Sequence, residues 1–417
     1  MIFPALRAVT SLHDKLALIE RRDIDEANLQ FPEHLSFLSD FEFHRLRGKT
    51  QLLNQNNQEK IDNMPLSLLI GLYASQNPFC YIIDAYPDHI EIYIGSKDSQ
   101  SGGSSIYRKI LEGYWGPEYI LKDRNINDRI KDLYNRPVCG TITGIPNTAP
   151  VTPSVKKIIP SDQWIKSLQG ERWTYLVNGF CIPRVTLSEY ESLLISEIAL
   201  LKTCIIREDI LYEEKRLAEH LLGFLEANLK RIEQSRLTGA WQVGVYFFAD
   251  RELLIRQGMG LLSSHFGNKR SEIQPIRTHL CYKKNELKPS FSNLLTSAES
   301  SILISLPEEE VPGYTIRRVA QFDTDSLNMR PLTPIIIGQI LRNWAVTDNT
   351  YTIEMSDLTR HGLVAGVTGS GKTTTCFNII RQLKQKGIPF LVIESAKSEY
   401  RQLLNDSLFH DMIVFTL

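Results

Sequence analysis

The chain has 417 residues, 42% of them hydrophobic and 23% charged, enough to bury substantial cores in two or three domains. Its 47 basic and 48 acidic side chains leave a net charge of −1, so global charge argues for no polyanionic partner and any such site has to be a local patch. Six cysteines (Cys80, Cys139, Cys181, Cys204, Cys281 and Cys376) stand singly without a C-x-x-C pair, which fits reduced, buried thiols in a cytoplasmic protein better than disulfides or a zinc site.

The N-terminus carries Pro4 and Arg7 and soon His13-Asp14-Lys15, which is not the pattern of a signal peptide. The longest apolar stretch, Leu193–Ile206, is interrupted by Glu197 and Lys202, so no direct membrane span is expected and membrane attachment would need a partner.

Residues up to about Asn63 are polar and mixed, with Gln51–Gln58 read as a loop or frayed helix. Pro65–Ala74 reads as a helix, and Cys80–Ala85 and Ile90–Ile94 as two strands of a hairpin turning at Tyr86-Pro87-Asp88-His89. A Gly/Ser loop at Ser99–Ser105 and a short helix at Ile106–Tyr114 follow. Thr141–Pro160, with Pro146, Pro150, Pro153 and Pro160, suggests a linker or an extended edge. The expected first domain is therefore α+β and spans residues 1–160.

Arg172–Ile182 reads as a strand. Leu187 to Arg236 is helical by periodicity, with one stripe through Leu187, Tyr190, Leu194, Ile198, Leu201 and Ile205. A second runs through Leu217, Leu221, Phe224, Leu225, Leu229 and Ile232. A helical hairpin burying these stripes in its own core is the reading preferred over a partner-binding face. Trp241–Ala249 is a strand, Glu252–Phe266 a helix, Ile276–Tyr282 a strand, Ser297–Ser305 a short helix and Tyr314–Ala320 a strand. These make a second α+β domain over residues 161–330.

Residues 331–417 form the third expected domain. Ile335–Leu341 and Tyr351–Met355 read as a hairpin around Asp348-Asn349. Leu363-Val364-Ala365 is a short buried strand, followed by Gly366–Thr375, GVTGSGKTTT. Here Gly366, Gly371, Lys372 and Thr373 complete G-x-x-x-x-G-K-[ST], the phosphate-binding loop. Apolar residues at helical spacing from Cys376 to Leu383 follow it, and Gly387 closes the helix.

The chemistry of this order is specific. Glycines at Gly366, Gly369 and Gly371 let backbone N–H groups close on phosphate oxygens, with Thr368 and Ser370 completing the loop. The helix N-terminus adds its unpaired N–H groups and positive dipole end. Lys372 is expected to meet the β- and γ-phosphates of ATP, Thr373 to ligate Mg²⁺, and Thr374 to donate near the α-phosphate. Lys372 is also the first catalytic candidate, because its ammonium faces the charge that develops on transfer.

Beyond the loop, Pro389–Ile393 is expected as a second strand ending at Glu394, Ser398–Leu404 as a helix and Met412–Thr416 as a third strand. No apolar strand ending in Asp-Glu follows, so the usual magnesium-holding carboxylate and water-activating glutamate are missing. That gap leads to the expectation that the sequence is the N-terminal part of a longer protein. Asp84, at the end of CYIID, has the right shape but lies far upstream in another unit. Glu394 is better placed, since strand ends beside the loop face the ligand in open α/β sheets. It is the second catalytic candidate, with a solvated strand terminus as the equal alternative.

From about Pro334 onward, PIIIGQ (334–339), LTRHGLVAGVTGSGKTTT (358–375) and FLVIESAKSEYR (390–401) resemble the HerA/FtsK superfamily of DNA-translocating ATPases, in particular bacterial HerA-like proteins. The most specific block is VIESAKSEY, where Glu394, Lys397, Glu399 and Tyr400 take the polar and aromatic positions and Ser395 stands where relatives often carry Pro. His361 also matches. A weaker resemblance, at Trp241–Ala249 and Leu295–Pro312, is to conjugative type IV secretion ATPases. The strong resemblance covers only the last fifth of the chain.

The resemblance implies an α/β fold with a RecA/FtsK-like parallel-sheet P-loop core, incomplete at its C-terminus and preceded by the α+β domains. It implies a homohexamer around double-stranded DNA, ATP hydrolysis at subunit interfaces and an arginine finger from a neighbouring subunit. Arg360 and Arg401 are finger candidates by proximity alone. Lys397 and Glu399 are either coupling residues or a structural salt bridge, and His361 is read as a capped core histidine rather than a catalyst. The leading expectation is a cytoplasmic ATP-dependent DNA translocase working with a nuclease or another effector in DNA processing or defence. The alternatives are a conjugation or secretion transport ATPase, and a nucleotide-gated assembly module with little hydrolysis.

Overall fold

In the first unit, alternate side chains of the same strands feed two different cores. The computed structural model describes residues 41–52, 64–97, 107, 110–112, 120–123, 126–134, 136, 138–147, 160–206, 211–267, 274–282, 293–319, 332–342, 345–394 and 398–415. It divides into two units, Met1–Ala320 and Gln321–Leu417.

The first unit begins with β1 (Glu42–Leu46), β2 (Gly48–Leu52), α1 (Met64–Ala74), β3 (Phe79–Ala85), β4 (Ile90–Ser96), β5 (Ile120–Asp123), α2 (Ile126–Tyr134) and β6 (Val138–Thr143). It continues through α3 (Pro160–Ser167), β7 (Trp173–Cys181), α4 (Arg184–Ile206), α5 (Tyr212–Thr238) and β8 (Ala240–Ala249). It closes with α6 (Glu252–Phe266), β9 (Arg277–Tyr282), β10 (Asn293–Thr296), α7 (Ser297–Leu303) and β11 (Thr315–Val319).

Nine of these strands form one sheet in the order β5-β1-β4-β3-β7-β8-β6-β9, with β10 beside β8. Every pairing in it is antiparallel. Strands from either side of residue 160 thus hydrogen-bond into a single sheet, joined where β3 pairs with β7 in the register Phe79↔Gly179 to Ala85↔Trp173. On one face, Tyr81, Ile83, Ile92, Ile94, Tyr175, Val177, Val245 and Phe247 pack under α1, α3, α6 and α7. On the other, Cys80, Ile82, Tyr93, Leu176, Tyr246 and Phe248 pack on Ile126, Ile130 and Leu133 of α2. This period of two is what an antiparallel sheet with both faces covered requires.

The proline-rich reading of Thr141–Pro160 is corrected at its start. Thr141 and Thr143 belong to β6, between β8 and β9. Threonine is tolerated inside the sheet because its hydroxyl finds a partner: Thr141 Oγ1 donates to Val245 O at 2.9 Å, and Thr143 Oγ1 lies 3.0 Å from His279 Nε2. The Gln51–Gln58 reading is likewise corrected where it is described, since Gln51 and Leu52 end β2, which pairs in parallel with β11. The Gly/Ser segment at 99–105 lies outside the described residues.

The helical hairpin appears as expected. Leu187, Tyr190, Leu194, Ile198 and Leu201 of α4 meet Leu221, Phe224, Leu225 and Ile232 of α5 in a core of their own. A buried ion pair ties α5 to α7: Arg231 Nε donates to Glu299 Oε1 at 2.6 Å and its Nη2 to Glu299 Oε2 at 2.7 Å. Glu299 also closes a capping box, accepting from the Thr296 N–H while its own N–H donates to Thr296 Oγ1.

Burial also neutralises one histidine on α6. His265 Nε2 has no hydrogen-bond partner, and burial pushes the ring down to about 4 from 6.5. The neutral form is the native one, so the stability it supports is complete above pH 6.5 and is lost as pH falls from there toward 4. His265→Phe is expected to flatten that part of the acid limb of a urea-midpoint-versus-pH curve.

The second unit contains β12 (Pro334–Arg342), β13 (Ala345–Glu354), a 3₁₀ turn at Met355–Thr359, α8 (Lys372–Gln385) and 3₁₀ turns at Glu399–Asn405 and Ser407–Phe409. The hairpin is present, but its register pairs Arg342 with Ala345, so the reversal lies between them and Asp348-Asn349 sits inside β13. Thr347 Oγ1 donates to Ile340 O at 2.7 Å and helps hold that register.

The parallel sheet expected around the loop is not formed among the described residues. Segments 363–365, 389–393 and 412–415 carry no strand pairing, and Leu363, Leu391, Ile393 and Phe415 are each more than 80% exposed. A β-ladder needs a hydrogen-bonded neighbour, and parallel strands persist only when both faces are covered. What packs instead is a small core of Ile380, Leu403 and Phe409 with Phe377, Phe390, Tyr400, Leu408 and Met412. No helix among the described residues is long and apolar enough to cross a membrane.

Candidate nucleotide-binding site

The phosphate loop leads straight into α8. Gly371, the residue before the helix, has φ 88°, and Gly369 has φ 83°, a region costly for any side chain. A β-carbon at Gly366 would come within 2.4 Å of Ser370 Oγ, so a larger residue there would have to turn the serine hydroxyl away from its present position. The Ser370 N–H donates to Val367 O at 3.2 Å, and the Thr375 N–H to Gly371 O at 2.9 Å. The N–H groups of the first turn of α8 precede any intrahelical acceptor and end at an exposed loop.

Lys372 and Thr373 occupy the first two helical positions. Lys372 Nζ donates to Val367 O at 2.8 Å, curling its ammonium back over the loop. Thr373 Oγ1 donates to Glu399 Oε2 at 2.9 Å. Thr374 is exposed beside them, as are Thr368 and Ser370.

Glu394 is brought to this cluster in a supporting position. Its Oε1 accepts the Glu399 N–H at 3.0 Å and its Oε2 the Tyr400 N–H at 3.3 Å. Both oxygens therefore hold the start of the 399–405 turn, which in turn presents Glu399 to Thr373. Tyr400 packs edge-on against Phe377 of α8 with ring centroids 5.1 Å apart, and its phenol is pushed up to about 12, first by burial and then by the Cys376 thiol. The sequence offers Glu399 only as a coupling residue or half of a salt bridge, because nothing local shows that its carboxylate reaches the loop.

A second contact escaped the sequence altogether. Gln382 on α8 accepts the Ile336 N–H on its Oε1 at 2.7 Å and donates from Nε2 to Ile336 O, also at 2.7 Å, while Asn378 Nδ2 donates to the same carbonyl at 2.8 Å. These side chains, four residues apart, fix the β12–β13 hairpin against the helix that carries the loop. The only signal was an amide pair at i, i+4 spacing.

Other sequence candidates fall elsewhere. His361 is exposed rather than capped in a core, and Arg360 and Arg401 are exposed as well. Lys397 lies outside the described residues. Asp84 is buried in the first unit, paired with Arg172 and Arg129 and accepting from the Thr174 hydroxyl at 2.6 Å. Burial alone would raise its pKa, but the hydrogen bond from Arg172, the charge of Arg129 and the Thr174 hydroxyl hold it below the usual carboxylate range. That environment spends its charge on two guanidinium groups. No cluster of three or more metal-ligating side chains occurs among the described residues.

The arrangement fits a magnesium-bound triphosphate. It offers glycine-gated backbone, a helix N-terminus, a lysine ammonium and a hydroxyl beside a carboxylate, all hard oxygen or N–H chemistry. These are the features that a phosphate-binding loop of the P-loop class requires. Residues 327–411 match the family described as type III restriction enzyme, res subunit, a P-loop helicase-type domain, so the match spans the hairpin, the loop and the 399–405 turn. Comparison with curated proteins finds no match.

Proposed function

We propose that the chain is an ATP-binding HerA/FtsK-like motor subunit, an ATP-dependent DNA translocase in DNA processing or defence. The observation that carries the reading is the loop itself: two positive-φ glycines, Lys372 and Thr373 at the start of a 14-residue helix. The helicase-type family match over 327–411 supports a DNA-acting ATPase in general. The finer assignment rests on the sequence of the 394–400 block, within which Glu394 accepts hydrogen bonds from the backbone N–H groups of Glu399 and Tyr400.

Within this reading, Gly366, Thr368, Gly369, Ser370, Gly371 and Thr374 hold the phosphates, Lys372 neutralises the β- and γ-phosphates, and Thr373 holds Mg²⁺. The ion, when bound, withdraws charge from the triphosphate and favours attack at its terminal phosphorus. Glu394 serves by holding the turn beside the loop. Homohexamer assembly, encirclement of double-stranded DNA, an arginine from a neighbouring subunit and a nuclease or other effector complete the proposal.

Duplex DNA is expected to raise the steady-state ATPase rate of the assembled protein by about tenfold or more, since such motors couple turnover to an electrostatically bound polymer. Turnover indifferent to duplex DNA over a salt series would remove the translocase assignment and leave nucleotide binding intact.

A further inference from the structure

We infer that Glu399 is a positioning residue for the metal, orienting the Thr373 hydroxyl so that its oxygen lone pairs face Mg²⁺. The inference rests on the nucleotide-binding reading and deepens it. A hydroxyl that ligates a cation presents a lone pair to it and must send its proton elsewhere. Here that proton already has a destination, because Thr373 Oγ1 donates to Glu399 Oε2 at 2.9 Å. A carboxylate is the strongest acceptor available for this task, and its charge also favours a divalent cation beside it.

The support behind Glu399 is equally specific. Its backbone N–H, and that of Tyr400, are held by the two oxygens of Glu394 at 3.0 and 3.3 Å. The turn they start is anchored by Leu403, which is buried in the small core with Ile380 of α8. The carboxylate is therefore carried by a braced turn packed on the same helix that carries Thr373. That geometry divides the two glutamates: Glu394 holds the backbone, and Glu399 holds the hydroxyl.

The test titrates Mg²⁺ into the full chain in the presence of a fluorescent ATP analogue, for the wild type, Glu399→Gln and Glu399→Asp. Nucleotide affinity in EDTA is measured alongside. Loss of a group that orients a metal ligand typically costs 10–100-fold in metal affinity. Glu399→Gln, which keeps an acceptor but loses the charge, is expected to raise half-saturating Mg²⁺ by about tenfold. Its metal-free nucleotide affinity should be unchanged, and Glu399→Asp should fall between the two.

Identical Mg²⁺ curves for wild type and Glu399→Gln would overturn the inference while leaving the nucleotide site standing. Loss of metal-free nucleotide binding in both variants would also overturn it, because Glu399 would then be maintaining the fold. A wild type whose nucleotide binding is absent with and without Mg²⁺ would instead overturn the nucleotide-binding reading itself.

Discussion

Lys372→Ala is expected to weaken binding of magnesium-bound ATP by about 10- to 100-fold. The estimate is the 1.5–3 kcal/mol, roughly, of a hydrogen bond to a charged group, and each 1.4 kcal/mol is about a factor of ten. In the structure its ammonium rests on the Val367 carbonyl of its own loop, an exposed contact that water replaces readily. The variant should therefore keep the melting profile of the wild type while calorimetric titration with ATP and Mg²⁺ loses its heat. A Lys372→Arg chain should bind only partly, because a planar fork does not reproduce a compact ammonium inside a tight loop.

The second large effect is on stability. Glu299→Ala leaves the Arg231 guanidinium uncompensated at side-chain exposures of 11% and 6% for the two partners, and it removes half of the capping box of α7. Breaking a buried pair from one side costs about 3–5 kcal/mol. The urea midpoint of the first unit is the measurement, and a fall of this size is a large share of the roughly 5–15 kcal/mol typical of a domain. Replacing both partners together, Arg231→Met with Glu299→Leu, is expected to recover most of the loss, since an apolar pair of similar volume removes both charges. Asn228, whose Oδ1 accepts from Arg231 Nη1 at 2.7 Å, would then lose one partner, so recovery falls short of complete.

Legibility followed periodicity. The helical hairpin was readable because Leu187, Tyr190, Leu194 and Ile198 repeat at helical spacing and are buried as that spacing demands. Strands β3, β7 and β8 were readable as apolar runs bounded by turn residues. Strands β1 and β6 were not: β1 reads EFHRL, with His44 buried, and β6 carries two threonines whose partners lie more than a hundred residues away. Long-range pairing of that kind leaves no local trace.

The same limit governs the site. Gly366, Gly371, Lys372 and Thr373 are legible because a phosphate-binding backbone needs those types at that spacing. The reach of Glu399 to Thr373 is not, because it depends on how the 399–405 turn packs against α8 across 26 positions of sequence. The parallel strands expected from Leu363-Val364-Ala365 and Pro389–Ile393 were inferred from apolar content alone. Apolar content does not supply the hydrogen-bonded neighbour that a strand requires.

Isothermal titration of the intact chain with ATP, in magnesium and again in EDTA, tests the central claim most directly. A single site whose affinity rises when magnesium is present, and which inorganic pyrophosphate displaces, is the result the loop geometry predicts. Absence of binding under both conditions from protein with a cooperative melt would contradict it, and the translocase proposal would fall with it.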